Sequence, residues 1–236
     1  MIDYRFQGRL SYIPGGALNV QMSAWPVAGA NWWEPTTGSY TVVAAYQAKG
    51  AASLAASYVN LANPGTYDLT EGNAPTFDTS YGWAFDGSAD YLRTGINPSG
   101  TNKQYSMFVR YSNWDSSGAY YDRALAGMFS GGTNSFLIFM QSATRIDFYS
   151  SGSRSYIGPT HPTSGVLGIA GNQGYYNGSA YGLTISAGSD LASVTIDIGS
   201  TAGTRLYKGR IQAVAIYSTE LSSTQVAEIT DNMEAL

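Results

Sequence analysis

The sequence contains no cysteine and a single histidine, His161. Without cysteine there is no disulfide or thiolate metal site, which argues against a cysteine-stabilised secreted domain. A protein that is assembled in a cytosol and later exposed outside stays compatible with this composition. His161 lies between Thr160 and Pro162 and has no cysteine or second histidine as a partner, so we expect neither a zinc site nor a catalytic triad around it.

Charge is also scarce, since charged residues make up 12% of the chain and its net charge is −4. The 12 Lys and Arg residues are scattered along the sequence, whereas phosphate binding needs clustered cations, so we expect no nucleic-acid partner. No apolar run approaches the roughly 20 residues of a membrane-spanning helix. Residues 1–5 lack the basic and apolar regions of a signal peptide, so we expect no membrane role.

Glycine and tyrosine are abundant, with 28 and 19 residues respectively. A surface solvated by hydroxyls and amides more than by charges is common in extracellular or virion β-proteins with many strands and turns. The length suits one β-sandwich with a short extension. We expect most of the tyrosines to pack the sheets.

The first 35 residues differ from the rest because chain breakers interrupt them while apolar residues stay frequent. We predict an N-terminal docking arm at residues 1–35 and a sandwich domain at residues 36–236. The arm must bury its apolar groups against its own sandwich or another subunit, and we expect a homo-oligomeric partner. The candidate assembly residues are Phe6, Ile13, Trp25, Trp32 and Trp33. For the last two, packing in a core or interface is favoured over ligand contact.

Evenly spaced strand patterns follow, with turn residues between them. They cover residues 40–46, 104–111, 125–129, 135–141, 145–149, 166–170, 174–176, 194–198 and 206–217. Residues 83–92 read as strand, tight turn and strand. The chain closes with a helix, for which Ser222 and Gln225 form a capping box and Leu221 and Val226 a hydrophobic staple.

This closing strand and helix resemble the end of laminin-G-like domains in the concanavalin A-like lectin/glucanase superfamily. Residues 85–92, 105–111 and 174–178 are similar to further strands and a hairpin of that fold, and residues 46–95 resemble a form frequent in tailed-phage structural proteins. The resemblance implies an all-β fold, a jelly-roll sandwich of two antiparallel sheets with one short C-terminal helix.

The resemblance also implies that a catalytic function must be considered, because the superfamily contains glycoside hydrolases. A retaining glycosidase needs two carboxyl groups about 5 Å apart, commonly supplied by alternate residues of one strand. The chain has five Glu residues, Glu34, Glu71, Glu220, Glu228 and Glu234, and none forms the Glu-x-Asp-x-Glu pattern of the glucanase branch. We therefore expect no enzymatic activity.

Laminin-G-like sandwiches often carry calcium, which binds six to eight oxygen atoms. Asp86 and Asp90 flank a Gly-Ser turn and are the candidate Ca²⁺ ligands, with Asp115 and Asp122 as a second, looser pair. The alternative, which we favour, is that Asp86 bonds the backbone of its own turn.

Exposed aromatic rings are the better functional candidates, since sugars stack on them. Trp114, Tyr120 and Tyr121 lie in a polar segment with Asp115 and Asp122. We predict that this loop is exposed and that Trp114, Tyr120, Tyr121 and Asp122 contact a glycan.

The function that the resemblance implies is a non-enzymatic phage virion structural protein, a capsid or tail decoration or surface adhesion module. Its partners would be other virion proteins, with host or environmental glycans as ligands. Its location would be the virion surface after assembly in the host cytoplasm. A carbohydrate-active hydrolase and a free-standing lectin are the alternatives.

Overall fold

The computed structural model describes residues 31–98, 105–115, 123–131, 134–142, 145–150, 162–181 and 190–236, and the backbone of 153–157. Residues 32–236 form one compact unit. Six of the candidate assembly and glycan-binding residues named above lie outside the described residues, as does His161. The six are Phe6, Ile13 and Trp25 of the predicted arm and Tyr120, Tyr121 and Asp122 of the predicted glycan loop.

The described elements are almost all strands. In chain order they are β1 Val42–Gln47, α1 Leu54–Ser57, β2 Thr70–Asn73, β3 Thr76–Asp78, β4 Gly82–Asp86, β5 Tyr91–Arg93, β6 Ser106–Ser112, β7 Arg123–Met128, β8 Phe136–Ser142, β9 Arg145–Ser150, β10 Ser153–Ile157, β11 Gly165–Ala170, β12 Gln173–Tyr176, β13 Ser179–Tyr181, β14 Asp197–Ile198, β15 Lys208–Tyr217 and α2 Ser223–Glu234.

These strands form two antiparallel sheets that pack face to face, which confirms the predicted jelly-roll sandwich. Within the described ranges, the first sheet has the order β13-β12-β11-β6-β15-β4-β3, and β1 pairs with the C-terminal half of β15. The second sheet has the order β10-β9-β8-β7-β14-β5-β2. Strand β15 is thus central to the first sheet, with β6 on one side and both β4 and β1 on the other.

The segment predicted as strand, tight turn and strand does contain two strands, but they do not pair with each other. β4 joins the first sheet and β5 joins the second, so the chain crosses from one sheet to the other at Gly87, whose φ is +77°. Trp83, Phe85 and Leu92 all point between the sheets and are buried. Burial of each such side chain is worth about 1.5 to 3 kcal/mol, which favours the crossing over a solvated hairpin.

Helix α2 covers part of the outer face of the first sheet. Its predicted capping box is present, because the Ser222 side chain accepts from the Gln225 amide and the Gln225 side chain accepts from the Ser222 amide. Leu221 and Val226, the predicted staple, are both buried. The helix packs its apolar side on Phe108 and Tyr217 of the sheet. No helix in the described ranges is long and apolar enough to cross a membrane.

The outer face of the first sheet therefore has a covered part and an open part. On β15, Ala213, Ala215 and Tyr217 lie under the helix, and a bulge after Ile211 separates them from Lys208 and Arg210 at the other end of the strand. The open end of this face is where the polar groups described below come together.

Candidate functional site

Trp114 is buried rather than exposed, which corrects the prediction that its ring forms a glycan platform. Its side chain is 3% exposed and belongs to the core between the sheets. Asn113, just after β6, has a φ of +52°. This left-handed residue interrupts the alternation of the strand, so that Trp114 turns inward where a continued strand would have directed it outward. Asparagine tolerates this conformation better than most residues. The asparagine before Trp114 was therefore the sequence signal that the strand alternation could end there.

Trp32 and Trp33 pack on the sandwich itself, so the structure corrects their assignment to a partner-binding arm. Trp33 is 7% exposed and lies in the cluster formed by α2 and the first sheet, and Trp32 packs against the same cluster. The Tyr217 hydroxyl donates to the Trp33 carbonyl at 2.8 Å, and the Asn232 side-chain amide donates to the Trp32 carbonyl at 3.3 Å. Core packing was one of the two readings left open for this pair.

Asp86 and Asp90 serve the turn between β4 and β5. The Asp86 carboxylate accepts from the main-chain amides of Ser88, Ala89 and Asp90 and from the Ser88 hydroxyl. Burial alone would raise the pKa of Asp86, but these hydrogen bonds hold it at about 2.

Asp90 is buried and faces Asp86, and burial followed by the neighbouring carboxylate raises the pKa of Asp90. Its carboxylate accepts from the Asn73 side chain and the Asp86 amide. Among the described residues no three His, Cys, Asp or Glu side chains are grouped to hold a metal ion. The favoured turn chemistry accounts for both carboxylates.

An open cleft of about 480 Å³ lies at the uncovered end of the first sheet, which we call the β4–β15 cleft. Three short segments of the described chain line it, each at the end of a different strand. They are Ala84 and Phe85 of β4, residues 113–115 after β6, and residues 208–210 of β15. Arg210 pairs with Ala84 on one side and Ser112 on the other, so these side chains share the outer face.

One wall of this cleft holds an ion pair. Lys208 Nζ lies 2.9 Å from Asp115 Oδ2, and both side chains are about one-third exposed, at 36% and 31%. The Asp115 amide also donates to the Lys208 carbonyl at 3.2 Å, which ties the segment after β6 to β15. An exposed pair of this kind stabilises the fold by about 1 kcal/mol or less, and its charged atoms stay accessible to a ligand.

Arg210, which belongs to the cleft lining, stacks on a tyrosine beside the cleft. The Arg210 guanidinium carbon lies 4.3 Å from the centre of the Tyr81 ring, and Tyr81 is 52% exposed. Gly82 permits this approach, because a Cβ at that position would lie 2.5 Å from the Ile211 carbonyl and its φ is +84°. The β3–β4 turn therefore lies close to β15 and places Tyr81 beside Arg210.

A second cleft of about 460 Å³ adjoins the first on the same face and includes Arg110, Ser112, Tyr176 and Gln212. Its arginine is already engaged, since Arg110 donates to the Leu236 carbonyl at 2.9 Å. Burial lowers the pKa of Arg110 and nearby Glu234 partly offsets the effect. We therefore place the candidate site in the β4–β15 cleft.

Sequence reasoning missed Tyr81, Lys208 and Arg210. Lys208 and Arg210 do stand out as polar residues at alternate positions of a strand that is otherwise apolar, which indicates an open outer face at that end. No local pattern connects them to Tyr81 or Asp115, since these residues meet through sheet pairing.

No family model and no curated protein matches the sequence. Several solved structures do match it. Domain 4 of a GH43 extracellular arabinanase from Geobacillus stearothermophilus, solved with arabinotriose, is similar over 81% of this chain and 98% of its own, with 15% identity and a TM-score of 0.55. The binding domain of botulinum neurotoxin serotype G is similar over 82% of this chain, with 11% identity and a TM-score of 0.56. The match spans 51% of that neurotoxin domain. At these identities the similarity shows the fold, a concanavalin-like jelly-roll sandwich.

Proposed function

We propose that the protein is a non-catalytic saccharide-binding module whose ligand occupies the β4–β15 cleft. The observation that carries this proposal is a cleft lined by Arg210, Lys208 and Asp115, in which Arg210 also stacks on the exposed Tyr81 ring beside the cleft. Sugar rings present C–H faces that pack on aromatic rings and hydroxyl groups that exchange hydrogen bonds with charged side chains. The arabinanase domain of the same fold was solved with arabinotriose, which supports starting the search for a ligand among oligosaccharides.

The same cleft supports binding over hydrolysis. A glycosidase needs two carboxyl groups, about 5 Å apart for retention or about 6.5 to 9.5 Å apart for inversion. The described lining of the cleft includes one carboxylate, Asp115, which is paired with Lys208. We expect β-glucans, galactans, arabinans and chromogenic glycosides to stay intact when incubated with the protein. Turnover that Asp115→Asn abolishes would contradict the non-catalytic proposal.

A glycan array followed by calorimetry tests the binding site. Tyr81→Ala is expected to weaken binding of any saccharide found on the array about fivefold to tenfold, because stacking on one ring is worth about 1 to 1.4 kcal/mol. Tyr181→Ala is the matched control, since Tyr181 is also exposed, at 38%, but lies on β13 at the far edge of the sheet. Equal affinities in the two variants would place the ligand elsewhere, and an array with no binding would remove the proposal.

We also propose that this module is displayed on a tailed-phage virion, as a decoration or adhesion protein that assembles as a homo-oligomer. The support is the resemblance of residues 46–95 to phage structural proteins. Mass spectrometry of purified particles tests this location, and absence of the chain from particles that contain the other structural proteins would contradict it.

A further inference from the structure

We infer that the β4–β15 cleft selects saccharides that carry a carboxylate, and that Arg210 is the residue that binds this carboxylate. The inference rests on the proposed saccharide-binding function and specifies the chemical class of its ligand.

Arg210 differs from Arg93, Arg110 and Arg145 in having no polar partner among the described residues. Arg93 donates to the Tyr91 hydroxyl at 2.7 Å, Arg110 to the Leu236 carbonyl, and Arg145 to the Asp147 carboxylate. Arg210 makes no hydrogen bond or ion pair with any residue that the structure describes, and its one specific contact is the Tyr81 ring. Its guanidinium N–H groups are therefore available to a ligand at an open cleft.

Two carboxylates at this end of the first sheet are occupied by other groups. Asp115 pairs with Lys208, and Asp86 accepts four hydrogen bonds from its own turn. Within the described residues, no carboxylate forms an ion pair with Arg210, so none of them neutralises its guanidinium directly. An anion that enters the cleft displaces no internal partner of Arg210.

The stacking geometry leaves the correct part of the arginine exposed. An aromatic ring covers one flat face of the guanidinium, whereas carboxylates bind along its edge through two parallel N–H···O bonds. Tyr81 thus orients the plane of Arg210 without consuming a hydrogen-bond donor. Holding the side chain in place before the ligand arrives reduces the entropy lost on binding.

The charge of the cleft is opposite to that of the whole chain. The described part of its lining includes two cations, Lys208 and Arg210, and one carboxylate, Asp115, so that part carries a net positive charge in a protein of net charge −4. A local positive site on an acidic surface favours an anionic group at that position over neutral ligands.

Sugars with a carboxylate belong to two classes, uronic acids and sialic acids. Calorimetry with the 236-residue chain distinguishes the two classes. Tetragalacturonic acid is the probe for uronic acids, and 3′-sialyllactose is the probe for sialic acids. The matched neutral probes are the methyl ester of tetragalacturonic acid, which keeps every ring and loses every charge, and lactose. We expect one of the two acidic probes to bind at least tenfold more tightly than its neutral counterpart, and we expect added salt to reduce that ratio.

Three variants tie this preference to one residue. Arg210→Gln should abolish the preference for the acidic probe, while weak binding of the neutral probe persists. Arg210→Lys should keep part of the preference, because the positive charge remains although the planar guanidinium with its paired N–H donors is lost. Arg93→Gln is the control, since it removes the same charge from an arginine that also stacks on a tyrosine, but on the second sheet. Melting temperatures within about 2 °C of the parent would show that all three variants fold.

The outcomes separate this inference from the proposed function. Equal affinity for acidic and neutral probes, or a preference that survives Arg210→Gln, overturns the assignment of Arg210 and leaves saccharide binding intact. Failure of every saccharide on the array to bind overturns the proposed function and this inference together.

Discussion

Replacing Trp33 by alanine tests whether the segment before β1 is part of the sandwich. The Trp33 ring is 7% exposed in the cluster between α2 and the first sheet, and it meets the Trp32 ring edge-on with centroids 5.4 Å apart. Its carbonyl accepts the Tyr217 hydroxyl, and this hydrogen bond survives the substitution because it involves the main chain. The variant therefore removes ring packing and little else.

The expected loss follows from the size of the ring. Truncating a buried tryptophan to alanine costs about 3 to 5 kcal/mol. Trp33 lies near the surface, where water can enter the space, so we expect the lower end, about 3 kcal/mol. A domain of this size loses about 2 to 4 °C in melting temperature per kcal/mol, which gives a decrease of about 6 to 12 °C.

Calorimetric melting of the parent, Trp33→Ala and Trp33→Phe measures this loss, and phenylalanine should recover much of it because most of the apolar area returns. Two truncations provide an independent measurement. Removing residues 1–35 should lower the melting temperature further than removing residues 1–31, by at least the Trp33→Ala decrement, because the compact unit begins at Trp32. A decrease in melting temperature of less than about 2 °C for Trp33→Ala would refute the assignment of Trp33 to the core. Equal melting temperatures of the two truncated proteins would refute it as well.

Two further predictions concern buried and turn polar groups. Asn60 is fully buried, and its side-chain amide makes four hydrogen bonds to main-chain groups around β1 and the following turn. Asn60→Ala should therefore lower the free energy of unfolding, measured with urea, by about 4 kcal/mol. Asn63 is exposed, and Asn63→Ala should lower it by less than about 0.5 kcal/mol. Similar midpoints for the two variants would contradict the network. For Asp86, the folded-state pKa of about 2 lies below the ordinary value of 3.8, so its carboxylate stabilises the fold above pH 3.8 and this contribution is lost as the pH falls towards 2. The Asp86→Asn variant should therefore melt about 2 to 4 °C below the parent at neutral pH, and this difference in melting temperature should disappear as the pH falls from 3.8 towards 2. A difference that does not change with pH would contradict the role assigned to Asp86.

The sequence alone predicted the features whose physics is local. The capping box of Ser222 and Gln225 specifies where α2 begins because both hydrogen bonds lie within four consecutive residues. Asn177-Gly178 specifies the β12–β13 turn because these two residue types accept positive φ, here +45° and +74°. The alternation of apolar residues identified most of the strands and with them the class of fold. Short, mostly exposed strands such as β2 and β3 carry no such alternation and were not predicted.

Tertiary structure decided which neighbours these elements have. Whether β4 pairs with β5 or each joins a different sheet depends on the energy of closing the whole core, and no pattern within residues 83–92 encodes that choice. Trp33 and Trp114 illustrate the same limit, since an aromatic residue near a breaker fits equally well in a core, an interface or a ligand site until its surroundings are known. In the β4–β15 cleft, Tyr81 and Arg210 are separated by more than a hundred residues of sequence. The pairing of β15 with β4 and β6 brings them together, so the composition of the site follows from sheet order, which is a property of the folded chain.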